Sequence, residues 1–332
     1  MNKLFLTETE LQKFGKVENL SQKVEALLNQ QKENWELLRN NFNSLSNIKT
    51  KIYNFENSQI KIQFNQLRII STSAKVDKKS IEERKCFLCL ENLPSVQKGI
   101  KYKRDYLILC NPFPIFEQHL TFPHLKHIPQ SIENNFLDLL ELSKELCEDF
   151  FVFYNGSKCG ASAPDHLHFQ AGFNNSIPIY KNYSNSIKNC GKIIFQNELT
   201  KVIFVNNGIQ KFVVIESDDT IKLQQIFIEI LESAKKILNS VEEPLLNILS
   251  FFGNGIWKAI IFFREKHRPT QYFAKGKKQL LVSPASVDLS GLIITVREED
   301  FNKICKNDVE NIFNQVQLSK EKLEKILKDF VK

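Results

Sequence analysis

The sequence predicts an α+β fold assembled from two similar halves. Period-two alternation marks strands on both sides of the chain's midpoint, at Ile60, Ile62 and Phe64 and again over 201–206 and 211–215. Helical spacing separates strand pairs, at Phe136, Leu139, Leu140, Leu142 and Leu146 and over about 221–240. A strand–strand–helix rhythm therefore occurs once before residue 195 and once after it, without a strict sequence repeat. With 332 residues, the expected division is a helical segment 1–55, a domain 56–195 and a domain 196–332.

Taken in order, residues 1 to about 50 read as helix, with Leu20, Val24, Leu27 and Leu28 and then Trp35, Leu37 and Leu38 on apolar faces. From Tyr53 to Ser73 one or two strands are expected, the second continuing through Leu67, Ile69 and Ile70. The run 106–122 is strand-like, broken at Asn111-Pro112 and Pro114, and 132–153 reads as helix then strand. A small-residue loop, NGSKCGASAPD, leads into His166-Leu167-His168-Phe169-Gln170. The Asn- and Ser-rich stretch 175–195 reads as loose chain and gives the domain boundary. Strands at 201–206 and 211–215, a helix at about 221–240, a strand pair through 246–263, the basic-aromatic stretch FFREKHRPTQYFAKGKK, a loop at Ser283-Pro284 and an amphipathic C-terminal helix complete the chain.

The composition is that of a globular protein, 42% apolar and 25% charged. A net charge of +7 suits phosphate-bearing ligands, but the charges are interspersed and form no arginine-rich run. Seven cysteines, an odd number scattered over the chain, do not make a disulfide framework. Thr7, Glu8 and Glu10 interrupt the apolar start, so no secretory core is read there, and no uncharged run reaches the ~18 residues of a membrane span. A cytoplasmic protein with reduced thiols is expected.

Chemistry concentrates around 155–170. On an extended strand His166, His168 and Gln170 share one face while Leu167 and Phe169 pack on the other. Residues two apart on a strand lie about 6.6 Å from each other, whereas two nitrogens on one zinc ion lie within about 3.4 Å. One imidazole can ligate a metal; the other stays free. Cys86 and Cys89, with His127 or His124 and His166, would close a four-coordinate structural Zn2+ site. His168 then stands beside a loop in which Gly156, Gly160, Ala161 and Ala163 let backbone N–H groups approach an anion and Ser162 adds a hydroxyl. An imidazole beside a phosphate can act as nucleophile, and Gln170 can donate to a phosphate oxygen without adding a base. Arg68, and Lys266, His267 and Arg268 in the basic-aromatic stretch, are further candidates for holding phosphate.

The motif His166-Leu167-His168-Phe169-Gln170 resembles the His-x-His-x-Gln signature of the nucleotidyltransferase branch of the histidine-triad superfamily, to which galactose-1-phosphate uridylyltransferase and diadenosine tetraphosphate phosphorylase belong. The stretches 160–163 with 166–171, Leu125-Lys126-His127-Ile128-Pro129-Gln130, and 283–286 with 289–291 are similar to GDP-L-galactose and GDP-D-glucose phosphorylases. The resemblance spans roughly 60 to 300 and implies a histidine-triad-like antiparallel sheet with flanking helices, its second half completing the substrate pocket. It further implies that His168 attacks the α-phosphorus of a nucleoside diphosphate sugar, GDP-hexose favoured, to give a covalent nucleotidyl-histidine. Phosphate or a sugar 1-phosphate would collect the nucleotide. Gln170, Asn155 and Ser162 match phosphate-contacting positions, and Cys86, Cys89 and His166 match the uridylyltransferases' zinc ligands. The Cys-x-x-Cys itself departs from the GDP-hexose phosphorylase pattern. Neither nucleic acid nor membrane is an expected partner, and a homodimer is compatible with the sequence. Two other functions are weighed: a histidine-triad hydrolase, which usually carries a further histidine at the Gln170 position, and a zinc-stabilised nucleic-acid-binding module, whose ligands here lie too far apart for a compact finger.

Overall fold

Alternating β-branched and aromatic residues build thirteen strands in the computed structural model, which describes residues 4–147 and 149–332. They are β1 (Thr50–Asn54), β2 (Gln59–Phe64), β3 (Gly99–Tyr102), β4 (Tyr106–Cys110), β5 (His119–Pro123), β6 (Phe150–Asn155), β7 (His168–Phe173), β8 (Gly191–Gln196), β9 (Thr200–Asn206), β10 (Lys211–Ser217), β11 (Leu246–Gly253), β12 (Ile256–Phe263) and β13 (Leu292–Thr295). β3 to β12 form one antiparallel sheet in the order β3-β4-β5-β7-β6-β11-β12-β10-β9-β8. The sheet runs unbroken across residue 195, joined at its middle by β6 against β11.

Both faces of this sheet are covered. On one, Leu167, Phe169, Val152 and Tyr154 pack with the helices Leu20–Asn34, Phe136–Glu145, Thr220–Leu238 and Lys320–Phe330. Asn19 caps the first of these and Asp219 the third, each by accepting backbone N–H groups of the opening turn. On the other face Phe151, Phe153, Leu249 and Ile260 pack with a second sheet, β1-β2-β13, and with the helices Pro178–Cys190 and Lys306–Val316. In that small sheet β2 pairs antiparallel to β1 and parallel to β13, so residues 59–64 are tied to residues 292–295. Among the described residues no helix is long and apolar enough to cross a membrane.

The α+β class and the antiparallel sheet with flanking helices stand as expected. Four local expectations need correction. Leu67, Ile69 and Ile70 do not continue a strand: Gln66–Arg68 is a 3-10 turn and Ile69–Thr72 a short helix, with Ile70 exposed. The stretch 178–190 is helical, begun by Pro178 at its first turn, where a missing N–H costs nothing. β7 starts at His168, and His166 sits in the turn before it. The C-terminus forms two helices, Lys306–Val316 and Lys320–Phe330, instead of one.

Candidate active site

Two devices fix the mouth of the β6–β7 connection. Gln130 donates its amide to the carbonyls of Asn155 (2.9 Å) and His168 (3.1 Å) and accepts from the His168 N–H (2.8 Å). It therefore bridges the ends of two strands at the point where they separate. Gly160 takes φ +122, and a Cβ there would meet the Ala285 Cβ at 2.6 Å. Only glycine lets the loop lie that close to the segment 283–286.

His168 is buried, and its Nδ1 lies 2.8 Å from the His166 carbonyl. A carbonyl can only accept, so Nδ1 carries the proton and Nε2 keeps its lone pair. Burial pushes the imidazole down to about 4 against the opposing pull of that carbonyl, which leaves it neutral at physiological pH. His168 and Gln170 line a cavity of about 720 Å³ with apolar walls that include Trp35, Ile70, Phe87, Leu88 and Phe113. That volume lies in the range of ligand sites.

A second, smaller chamber adjoins it and shares Arg68, Ser162 and Gln170 with the first. Its other walls include Asn155, Gly160, Ala161, His267, Arg268 and Ser283. The Asn155 Oδ1 accepts from Asn247 Nδ2 (3.0 Å) and Ser286 N (2.9 Å), which leaves the amide N–H2 of Asn155 to serve the chamber. Arg68 donates to the Phe113 carbonyl at 2.8 Å. Burial lowers its guanidinium to about 10, so it keeps its charge at neutral pH. Arg268 lies over the Tyr272 ring and donates to Ser283 Oγ at 3.0 Å and to the carbonyls of Thr72 and Ala74. Burial first, then the neighbouring arginines, pushes His267 down to about 3, leaving it a neutral lining group. Lys266 does not join them; its Nζ donates to Gln315 at 2.8 Å, and it lines neither chamber.

Behind the loop, Cys86, Cys89, His127 and His166 bring one ligand atom each to within 4.8 Å of the others. Cys86 Sγ is 3.2 Å from His166 Nδ1, and Cys89 Sγ is 3.1 Å from His127 Nδ1. Ligands of one tetrahedral ion lie about 3.4–3.8 Å apart. Both histidines turn Nδ1 inward, and each Nε2 has an outer partner: the His124 carbonyl for His166 (2.7 Å) and the Asp165 carboxylate for His127 (3.4 Å). Such partners orient metal-bound imidazoles. The donor set, the spacing and the His166 bond to the His124 carbonyl fit a divalent cation with no open position. His124 lies outside the set, its Nδ1 taken by the Lys126 N–H.

Several supporting residues went unnamed in the sequence reading. Arg264, 2% exposed, donates to Asn247 Oδ1 and to the carbonyls of Pro284, Val316, Lys266 and His267. It thereby anchors three segments around the chamber. Asp165 ties the cysteine–histidine cluster to Arg84, which also donates to the Ser162 carbonyl. The signal for Arg264 was faint: a cation directly after an apolar strand.

Comparison with known proteins bears on the fold. Residues 27–173 match the domain of unknown function DUF4922, and residues 188–332 match the GDPGP1-like C-terminal domain. No curated protein sequence matches the chain. The yeast Ap4A phosphorylase Apa2 in complex with AMP is similar in structure, with a TM-score of 0.54 and 14% identity over 85% of this chain and 94% of that one. The same yeast enzyme in complex with Ap4A gives a TM-score of 0.50 at 14% identity, over 85% of this chain and 96% of that one. At this identity the likeness is one of fold: the large antiparallel sheet and its flanking helices are shared.

Proposed function

We propose that this chain is a nucleotidyltransferase of the histidine-triad superfamily that splits a nucleoside diphosphate sugar through a nucleotidyl-histidine on His168. The observation that carries this reading is the imidazole itself. Its proton is held on Nδ1 by the His166 carbonyl, and its free Nε2 belongs to a side chain lining the cavity next to a chamber with two arginines. In the first step Nε2 attacks the α-phosphorus in line. A P–N bond forms, the P–O bond to the β-phosphate breaks, and the sugar 1-phosphate leaves with the electron pair. In the second step an oxygen of inorganic phosphate, or of a second sugar 1-phosphate, displaces the imidazole and carries away the nucleotide.

Arg68, Arg268, the Asn155 amide and the 160–162 backbone are the anion-binding groups of this scheme, and the Gln170 amide donates to a non-bridging oxygen of the reacting phosphate. The apolar cavity suits a nucleoside. GDP-hexose is the favoured substrate, on the resemblance of the 160–171 and 125–130 stretches and the GDPGP1-like match over 188–332. Zinc bound by Cys86, Cys89, His127 and His166 would be structural, pinning the turn that delivers His168. The protein is expected to act in the cytoplasm.

The test is intact-mass measurement after mixing the protein with GDP-hexose or UDP-hexose without phosphate. One added nucleoside monophosphate, absent in His168→Ala, is expected, and its mass names the base. Native protein that turns over either sugar nucleotide without ever gaining that mass would sink the covalent route. Release of free nucleoside monophosphate at the same rate with and without phosphate would make the chain a hydrolase.

A further inference from the structure

A glutamine amide has two ends of similar size and opposite chemistry. Only its N–H2 end helps an anionic phosphate; its oxygen would repel it. Something must decide which end faces the cleft. On the neighbouring strand β5, opposite Gly172 and so diagonal to Gln170, lies His119, fully buried and lining neither cavity. Its Nδ1 receives the backbone N–H of Ile115 at 3.2 Å, and its Nε2 is 3.0 Å from Gln170 Oε1. The Ile115 N–H can only donate, so Nδ1 must be the unprotonated nitrogen. A neutral imidazole then carries its proton on Nε2 and can only donate to Gln170. Gln170 meets that donor with its oxygen, and its nitrogen, which has no protein partner among the described residues, is left for the cleft. The ring packs between Phe116 (edge-on, 5.4 Å) and Phe153 (stacked, 6.2 Å), and turning it over would put carbons where Ile115 and Gln170 now meet nitrogens.

We infer that His119 is a positioning residue of the transfer reaction: the Ile115 N–H sets its tautomer, and that tautomer locks Gln170 with its amide donor toward the reacting phosphate. The inference rests on the nucleotidyl-transfer reading above and adds a residue that never touches substrate. Burial, with Arg68 adding to it, pushes the His119 imidazole down to about 3, so it stays neutral throughout the working range.

Two conservative variants separate this role from a merely structural one. Asparagine can accept where Nδ1 does and satisfy Ile115 but does not reach Gln170. Glutamine reaches Gln170 with a donor but serves Ile115 poorly. The rate at which the intact protein gains one nucleoside monophosphate from GDP-glucose, or from UDP-glucose, is measured in a single turnover beside thermal melting. His119→Asn is expected to slow labelling about 10–100-fold, the worth of one hydrogen bond to a charged group, while melting near the native temperature. His119→Gln is expected to melt lower yet keep most of the rate. In a Gln170→Ala background, His119→Asn is expected to cost no further rate, since the group it positions is gone. Native labelling by His119→Asn, or a rate loss that adds in full to that of Gln170→Ala, would overturn the inference and leave the reading of His168 intact. A native chain that gains no nucleotide from either sugar would overturn both.

Discussion

The two halves of the ten-stranded sheet are laid out alike and differ most in one connection. Each runs three antiparallel strands, a helix and two more strands. In space the order is β3-β4-β5-β7-β6 in one and β8-β9-β10-β12-β11 in the other. In the first half, β6 reaches β7 through residues 156–167; in the second, β11 reaches β12 through Asn254 and Gly255 alone, both at positive φ (52 and 76) as a two-residue hairpin requires. Counted back five residues from the strand ends Phe173 and Phe263, Lys258 stands where the first half has His168. Counted back three, Ile260 stands where it has Gln170. The sheet thus supplies equivalent positions twice, and only the half with a long connection dresses them with an imidazole and an amide beside a cluster of two cysteines and two histidines. The other half supplies support: Asn247 reaches across the middle of the sheet to Asn155 and the Cys159 carbonyl, and Arg264 holds Asn247 from behind.

The largest effect that tests this division is metal removal. A bound structural zinc contributes on the order of 10 kcal/mol to the segments it joins. Stripping it with a chelator, or replacing Cys86 and Cys89 by serine, is expected to abolish hydrogen-exchange protection over residues 84–97, 124–130 and 156–167. Strands β8 to β12 are expected to keep theirs. Metal analysis of the purified protein should give one zinc per chain. Uniform loss of protection across both halves would contradict the idea that only one half depends on the cluster.

A smaller effect comes from the supporting half. Arg264→Gln strands several buried acceptors, among them Asn247 Oδ1 and the Pro284 and His267 carbonyls. Each buried group left without its partner costs about 1–3 kcal/mol, so a loss of about 3–5 kcal/mol in urea unfolding is expected. Labelling by sugar nucleotide should fall with it, because segments 264–268 and 283–286 lose their common anchor. A variant that is destabilised yet labels normally would confine the chemistry to the first half alone.

How much of this was legible in the sequence follows from the range of the interactions. The His-x-His-x-Gln alternation and the Cys-x-x-Cys are local patterns, and the rise of an extended strand is enough to keep the two imidazoles off a single ion. Strict alternation predicts His166 on the strand itself; the chain places it in the preceding turn, aimed at the cysteines. The helix Pro178–Cys190 was legible but overlooked, since Ile179, Tyr183 and Ile187 recur every four residues behind an initiating proline, masked by the surrounding Asn and Ser. Lys266, His267 and Arg268 were grouped by adjacency, although neighbouring residues in an irregular segment need not point the same way. No role for His119, Asn247 or Ser286 was legible, although Ser286 lies in the 283–286 stretch that carries part of the resemblance. Their partners are 51, 92 and 131 residues distant, and nothing in the local sequence sets an orienting histidine apart from a core one.

The smallest effect compares the two connections directly, through one alanine in each. Gly160 and Gly255 both adopt positive φ, at +122 and +76, so alanine is strained at either. For Gly255 nothing lies within 4 Å of the added Cβ, and the cost is the left-handed backbone alone, about 1 kcal/mol. For Gly160 the methyl would meet Ala285 at 2.6 Å, and the φ itself is one that only glycine populates readily. Overpacking of this kind costs about 1–3 kcal/mol on top of the strain. Urea unfolding is therefore expected to separate the two variants by at least about 1 kcal/mol. Function should separate them further: the Gly160 variant pushes the loop off segment 283–286 and opens the chamber between Asn155 and Ser283, whereas the hairpin variant touches nothing the substrate needs. Equal losses of labelling in both would mean that the tight turn serves the site after all, and the contrast between a working connection and a closing one would have to be given up.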